Sequence, residues 1–176
     1  MTEHTIFSIA SCTKPITCTG LMILYDKGYF QLDDPIEQYI PEFSDMTMIN
    51  SAGEIQPCDK PFTIRDLLGH TAGFTYNKGV GQLGLGKGSV AEAYDTAGIF
   101  HDTLETVIPK IAQLPLTYQP GTEWQYSIGI DIVGYLIEVL SQQTLDKFLY
   151  ENLFTPLKMK NTYFKVPDTM KEHLAQ

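Results

Sequence analysis

Ser11 and Lys14 stand three residues apart in "FSIASCTKPIT" (residues 7–17), at what reads as the mouth of a helix. Residues at that spacing share a helix face, so a hydroxyl and an amine come within reach of each other. A serine hydroxyl is a poor nucleophile until a base takes its proton. A lysine can act as that base only where burial or nearby cations favour the neutral amine. A helix N-terminus adds free amides and the positive end of a dipole, which favour negative charge on a developing oxyanion. The chemistry this pair could do is therefore acyl transfer through a serine ester. The spacing alone has a plainer reading too, an N-cap serine beside a lysine that extends to water.

The elements that would position the pair are punctuated clearly. From Thr13 to Lys27 the run "TKPITCTGLMILYDK" is apolar on nearly every face, with Ile16, Ile23 and Leu24 on one stripe and Cys18, Leu21, Met22 and Tyr25 on another, which predicts a central helix. Pro15 is tolerated in a first turn, where amides have no intrahelical partner, and so places the helix start at Ser11 to Lys14. "LDDPIEQYIPEF" reads as turn, short helix, turn. "TIRDLLGHTAGF" carries Thr63 and Asp66 at capping-box spacing ahead of a short helix ending near Gly69. Residues 74–89 read as a loop, residues 90–97 and 103–113 as helices, and "PLTYQPGTEWQYS" as an ordered loop. A helix is predicted over 129–141, with Ile130, Val133, Ile137 and Leu140 on one face, and another over 144–152. "TPLKMKNTYFKVP" reads as extended.

The 176 residues are 43% hydrophobic and 19% charged, the make-up of one globular domain without repeats or linkers. A formal charge of −9 argues against nucleic acid or an anionic membrane as partner, since both need clustered Lys and Arg. Cys12, Cys18 and Cys58 have no metal-ligand or CxxC spacing, so they read as reduced thiols, no metal or cofactor is expected, and a cytoplasmic setting follows. No apolar run is long enough to span a bilayer and no secretory signal is visible, although one preceding residue 1 would not be seen.

"TIFSIASCTKPIT", continued by "LMILYDKGYFQLDDPI", resembles the first active-site block of the serine β-lactamase and penicillin-binding-protein superfamily, in which a Ser-x-x-Lys opens the central helix. "TIRDLLGHTAGFTY" is similar to the segment that follows in class C β-lactamase-like proteins. "YQPGTEWQYSIGIDIVGYLIEVLSQQTLDKFLYENLFTPLKMKNTYF" is similar to their second block, a tyrosine ahead of a helix. The three blocks occur in order and cover most of the chain. The resemblance implies that Ser11 is the acylated nucleophile, Lys14 its base partner, and Tyr126 the tyrosine that shares proton transfer to the leaving group.

Departures from the pattern narrow the expectation. Where β-lactamases and DD-peptidases of this kind read Tyr-x-Asn, this chain reads Tyr126-Ser127-Ile128, which removes an amide and predicts a less polar pocket. That form, with "HTAGFTY" and "AEAYDTAGIF", is similar to the esterase branch called family VIII carboxylesterases. The third block, a Lys-Thr-Gly, His-x-Gly or Trp-x-Gly strand, is absent, because no glycine follows Gly134. The expectation is an α-rich α+β chain of β-lactamase/transpeptidase-like fold over residues 1–176, a single, incomplete domain whose helical part is present and most of whose antiparallel sheet is missing. The second oxyanion donor would then come from the missing strand. The central helix would be left partly uncovered, calling for a second copy or a complementing chain.

The function implied is cleavage of small acyl esters through an acyl-enzyme, with a small ester or amide as substrate. The alternatives are a β-lactamase or D-amino-acid peptidase, or an inactive fragment or binding module that keeps the scaffold. Other motifs carry less. "GVGQLG" at 79–84 and "GQLGLGKG" at 81–88 echo nucleotide-binding loops, but Gly88 occupies the obligatory Ser/Thr place and no strand precedes them. His4, His70, His101 and His173 have no ligand spacing, and His70 reads as a hydrogen-bonder at a helix end. A Ser-His-Asp triad through His70 and Asp131 stays open, without a G-x-S-x-G elbow in its favour. Trp124 reads either as a wall of an acyl pocket or as core.

Overall fold

The computed structural model describes residues 1–2, 4–76, 90–100 and 102–175. Its axis is α1, Thr13–Asp26, preceded by a single 3-10 turn, Ala10–Cys12. Pro15 is its third residue, where the missing amide costs nothing. Thr17, Gly20, Leu21 and Leu24 form the buried stripe of α1, while Ile16, Cys18, Met22, Ile23 and Tyr25 are half-buried.

The helix that α1 packs on most extensively is Gly129–Ser141, α5, the most thoroughly buried of the helices described. The remaining helices are α2 (Ile64–Gly69), α3 (Val90–Thr96), α4 (Leu104–Ile111) and α6 (Leu145–Leu149). Two glycines set the approach of α1 to its neighbours. A Cβ on Gly20 would stand 2.5 Å from Leu149 Cδ2 and 3.5 Å from Ile137 Cδ1, and one on Gly134 would stand 3.0 Å from Leu145 Cδ2 and 4.0 Å from Thr17 Cγ2. Thr17 thus meets Gly134 and Gly20 meets Ile137, so α1 and α5 run parallel and their N-terminal ends lie together. That arrangement decides where the chemistry can sit: Lys14 is in the first turn of α1, and Tyr126 lies just before α5.

The capping box predicted on α2 is formed. Asp66 N donates to Thr63 Oγ1 at 3.2 Å and Thr63 N donates to Asp66 Oδ2 at 3.0 Å. His70 closes α2 in the left-handed conformation, φ +57°. From there residues 70–76 are zipped to residues 117–128. Gly121 N donates to Thr71 O (2.8 Å), Thr117 N to Gly73 O (2.8 Å) and Gln125 N to His70 O (2.9 Å). Phe43, Phe62 and Phe74 meet edge to face beneath this seam, with centroids 5.1–6.0 Å apart.

Among the described residues the sheet is two-stranded: β1, Thr47–Ile49, pairs antiparallel with β2, Ile55–Pro57, with Met48 opposite Gln56. The described residues have the helix-rich, strand-poor character expected from sequence, with this hairpin as an addition the sequence does not signal. Two boundaries are corrected. The helix predicted over 144–152 ends as α6 at Leu149 and continues as a π turn, Tyr150–Phe154. The segment after it is turns rather than extended chain, with Lys158 at φ +57° and Met159 N bonded back to Phe154 O at 2.8 Å. An apolar groove of about 730 Å³ runs between the N-terminal segment and these turns, and Phe7, Ile9, Phe164 and Leu174 at its walls are exposed. No described helix is long and apolar enough to cross a membrane. The glycine motifs at 79–88 and His101 lie outside the described residues.

Candidate active site

The site grows from the shared N-terminal ends of α1 and α5. Ala10, just before Ser11, holds a positive φ of +42°, a conformation that costs a Cβ-bearing residue about 1–3 kcal/mol and persists only where its surroundings enforce it. Ser11 follows in the 3-10 turn, exposed, and Lys14 stands one turn on, half-buried.

The Lys14 amine lies over two aromatic rings, 4.9 Å from the centroid of Tyr126 and 5.6 Å from that of Tyr76. Burial pulls Lys14 toward the neutral amine. The neighbouring Tyr76 and Tyr126 hydroxyls favour the ammonium and outweigh that pull, so its pKa lies above the ordinary lysine value. Much of the attraction requires a tyrosinate, which an ordinary phenol becomes only near pH 10. At neutral pH the balance is therefore between burial, favouring the amine, and phenol lone pairs, favouring the ammonium. Burial pushes the Tyr76 phenol up, and Lys14 draws it back down.

Tyr76 and Tyr126 are stacked, with centroids 5.7 Å apart and planes 28° from parallel, as the zipped segments require. Tyr76 was missed by the sequence reading. The signal available was its place at the end of "HTAGFTY", but its partner is 50 residues away and is met only through the seam. Beside Lys14, a cavity of about 550 Å³ is lined by Lys14, Thr17, Leu104, Ile130 and Asp131 among others. Protein on most sides pushes the Asp131 carboxyl up and the Lys14 charge pulls it down; water still reaches its carboxylate, so both effects are screened.

Three sequence readings need revising. Ile128 is 2% exposed and packs in the core at the start of α5, so it does not line a pocket and its apolar side chain says nothing about substrate polarity. Trp124 is 67% exposed, with its ring edge-on to His70, so it is not core. His70 Nδ1 faces Ser127, 3.4 Å from its Oγ, rather than Asp131, and Ser127 is 2% exposed, which leaves the triad reading without a reachable hydroxyl. The structure brings Lys14 and Tyr126 together, with Ser11 one turn before Lys14.

A family model described as Beta-lactamase matches residues 1–176. Esterase EstB of Burkholderia gladioli is 32% identical over 170 residues, which is 93% of this chain and 40% of that protein. Acyltransferase calJ of Penicillium decumbens is 29% identical over 166 residues, 92% of this chain and 38% of its own length. Among solved structures, EstCE1, a hydrolase with promiscuous acyltransferase activity, superposes with a TM-score of 0.79 at 28% identity over 99% of this chain and 43% of that one. The penicillin binding protein of Bacillus halodurans shares the fold at a TM-score of 0.72 and 21% identity, over 99% of this chain and 48% of its own. The chain spans about two-fifths of the length of the curated relatives it matches.

Proposed function

Since this chain belongs to the beta-lactamase family and has the β-lactamase/transpeptidase-like fold, we propose that it is the nucleophile-bearing part of a serine hydrolase that cleaves small acyl esters through an acyl-enzyme. Ser11 Oγ attacks the ester carbonyl while its proton passes to the Lys14–Tyr126 pair. The tetrahedral intermediate collapses, the C–O bond to the alcohol breaks, and the same pair returns the proton to the leaving oxygen. Water then attacks the Ser11 ester, gives its proton to the pair, and releases the acid as Ser11 Oγ is reprotonated. The Ser11 amide contributes one oxyanion donor.

The observation that carries this reading is the Lys14 amine held 4.9 Å from the Tyr126 ring, one helical turn after an exposed serine behind a strained residue. The esterase branch is favoured by the names of the relatives, EstB and the hydrolase EstCE1. The experiment is hydrolysis of p-nitrophenyl butyrate beside a cephalosporin, with Ser11→Ala as control. Ser11-dependent butyrate cleavage exceeding cephalosporin turnover supports the esterase reading. The reverse order favours a β-lactamase, and turnover unchanged in Ser11→Ala refutes both.

A further inference from the structure

Tyr126 is held from three directions by one residue. The His70 carbonyl accepts the amide of Gln125, the residue before Tyr126, at 2.9 Å. His70 Nδ1 accepts the amide of Ser127, the residue after it, at 3.3 Å. The imidazole packs on the Tyr126 ring itself, with centroids 4.8 Å apart and planes 43° apart. Lys14 and Tyr76 meet the same tyrosine ring.

We propose that His70 is the positioning residue that clamps Tyr126 against Lys14, and that the clamp holds only while His70 Nδ1 carries no proton. The inference rests on the reading of Tyr126 as the proton-transfer tyrosine. The Ser127 amide is a donor and needs a lone pair opposite it, so the ring must be the neutral tautomer with its hydrogen on Nε2. Protonation would set N–H against N–H at the Ser127 amide, leave Nδ1 only the Ser127 hydroxyl oxygen at 3.4 Å as a partner, and place a second cation beside Lys14. The first contact, through the His70 carbonyl, survives any substitution, whereas the second is specific to an acceptor at the Nδ1 position.

The charged and titratable groups around His70 agree with a neutral ring. Lys14 approaches from α1 and Tyr126 lies against the ring; Tyr118 donates its hydroxyl to the His70 carbonyl at 3.2 Å, and Asp66 lies one turn back on α2. The Asp66 carboxylate is occupied by Thr63 and Thr71. Burial first, and the Lys14 charge second, hold His70 below the ordinary histidine value.

The experiment uses two substitutions and two readouts. Asparagine puts an acceptor oxygen where Nδ1 stands and does not titrate; alanine has no acceptor. With an ester substrate, His70→Ala should lower kcat about 10- to 100-fold with little change in KM, as expected for a misplaced catalytic group, while His70→Asn should stay near wild type and lose the acid limb that His70 gives the wild-type profile. The second readout is independent of turnover. Histidine 15N spectra of the wild type should show the Nε2–H tautomer at neutral pH. The 3-fluorotyrosine resonance of Tyr126, assigned by its loss in Tyr126→Phe, should be a single line that broadens or splits as His70 protonates and in His70→Ala, but not in His70→Asn. A Tyr126 line indifferent to His70 protonation, or an Nδ1–H tautomer, overturns the clamp even if the protein proves to be a good esterase. An intact clamp in a protein without esterase activity counts against the functional reading alone. If His70→Ala does not fold, His70→Asn and the wild-type titration still decide.

Discussion

The Lys14 amine and the Tyr126 ring, 4.9 Å apart, come from residues separated by more than a hundred positions and meet because α1 and α5 run parallel with their N-terminal ends together. An amine and a phenol in contact can pass a proton between them without either being wholly in its reactive form beforehand. Tyr126→Phe keeps the ring against His70 and Tyr76 and removes only the hydroxyl; Lys14→Ala removes the amine. Each should lower kcat for ester hydrolysis about 10²- to 10⁴-fold, and the double variant should be little worse than the poorer single, because the two act as a unit. Steady-state kinetics on the three variants checks this. Losses that multiply would show that the groups act separately.

Stability should depend on pH through His70. Its folded pKa is depressed, so between that value and the ordinary value of about 6.5 the unfolded chain binds more protons than the folded one. Its contribution is therefore fully present above pH 6.5 and is lost as pH falls through that value toward the folded one. Urea midpoints of wild type and His70→Asn, measured across that window, should diverge, with the wild type falling faster on the acid side. Parallel curves would show that the folded His70 is not depressed.

Asp66 joins two structures with one carboxylate. Oδ2 closes the capping box on Thr63, and Oδ1 accepts the Thr71 hydroxyl at 2.7 Å, fixing the chain on either side of His70. Asp66→Ala should cost about 1–3 kcal/mol in urea unfolding, a lost cap together with an orphaned hydroxyl.

Gly73 has φ +95°, and a Cβ there would stand 2.7 Å from the Tyr118 carbonyl oxygen and 3.0 Å from Leu116 Cβ. The first of these neighbours is backbone and cannot rotate away. Gly73→Ala should cost about 2 kcal/mol or more, combining conformational strain with that clash, and should open the seam that brings Tyr76 to Tyr126. Denaturant unfolding gives the stability change, and loss of esterase activity at temperatures where the variant remains folded reports the opened seam.

Much of this was legible because the signals are local. Pro15 placed the start of α1, Thr63 and Asp66 placed α2, and the apolar period of residues 129–141 placed α5. Ser11, Lys14 and Tyr126 are singled out by resemblance to known blocks, and the structure brings the last two together. What escaped depends on contacts between distant segments. Tyr76 reaches Tyr126 only through the hydrogen bonds between residues 70–76 and 117–128, and no period in the sequence encodes that pairing. Ile128 stands where the resembling families carry an amide, which is why a less polar pocket is expected there, but the start of α5 turns it inward to the core. The β1–β2 hairpin is three residues a side, too short for alternation to register.

The central claim is that Ser11 is the residue acylated, and covalent labelling tests it most directly. A fluorophosphonate should form one Ser11 Oγ–P bond with loss of fluoride. Intact-mass spectrometry should then show a single adduct, and peptide mapping should place it on Ser11. Ser11→Ala should abolish the adduct, and Lys14→Ala and Tyr126→Phe should slow its formation. An adduct on any other residue, or labelling of Ser11→Ala at the wild-type rate, would contradict the account.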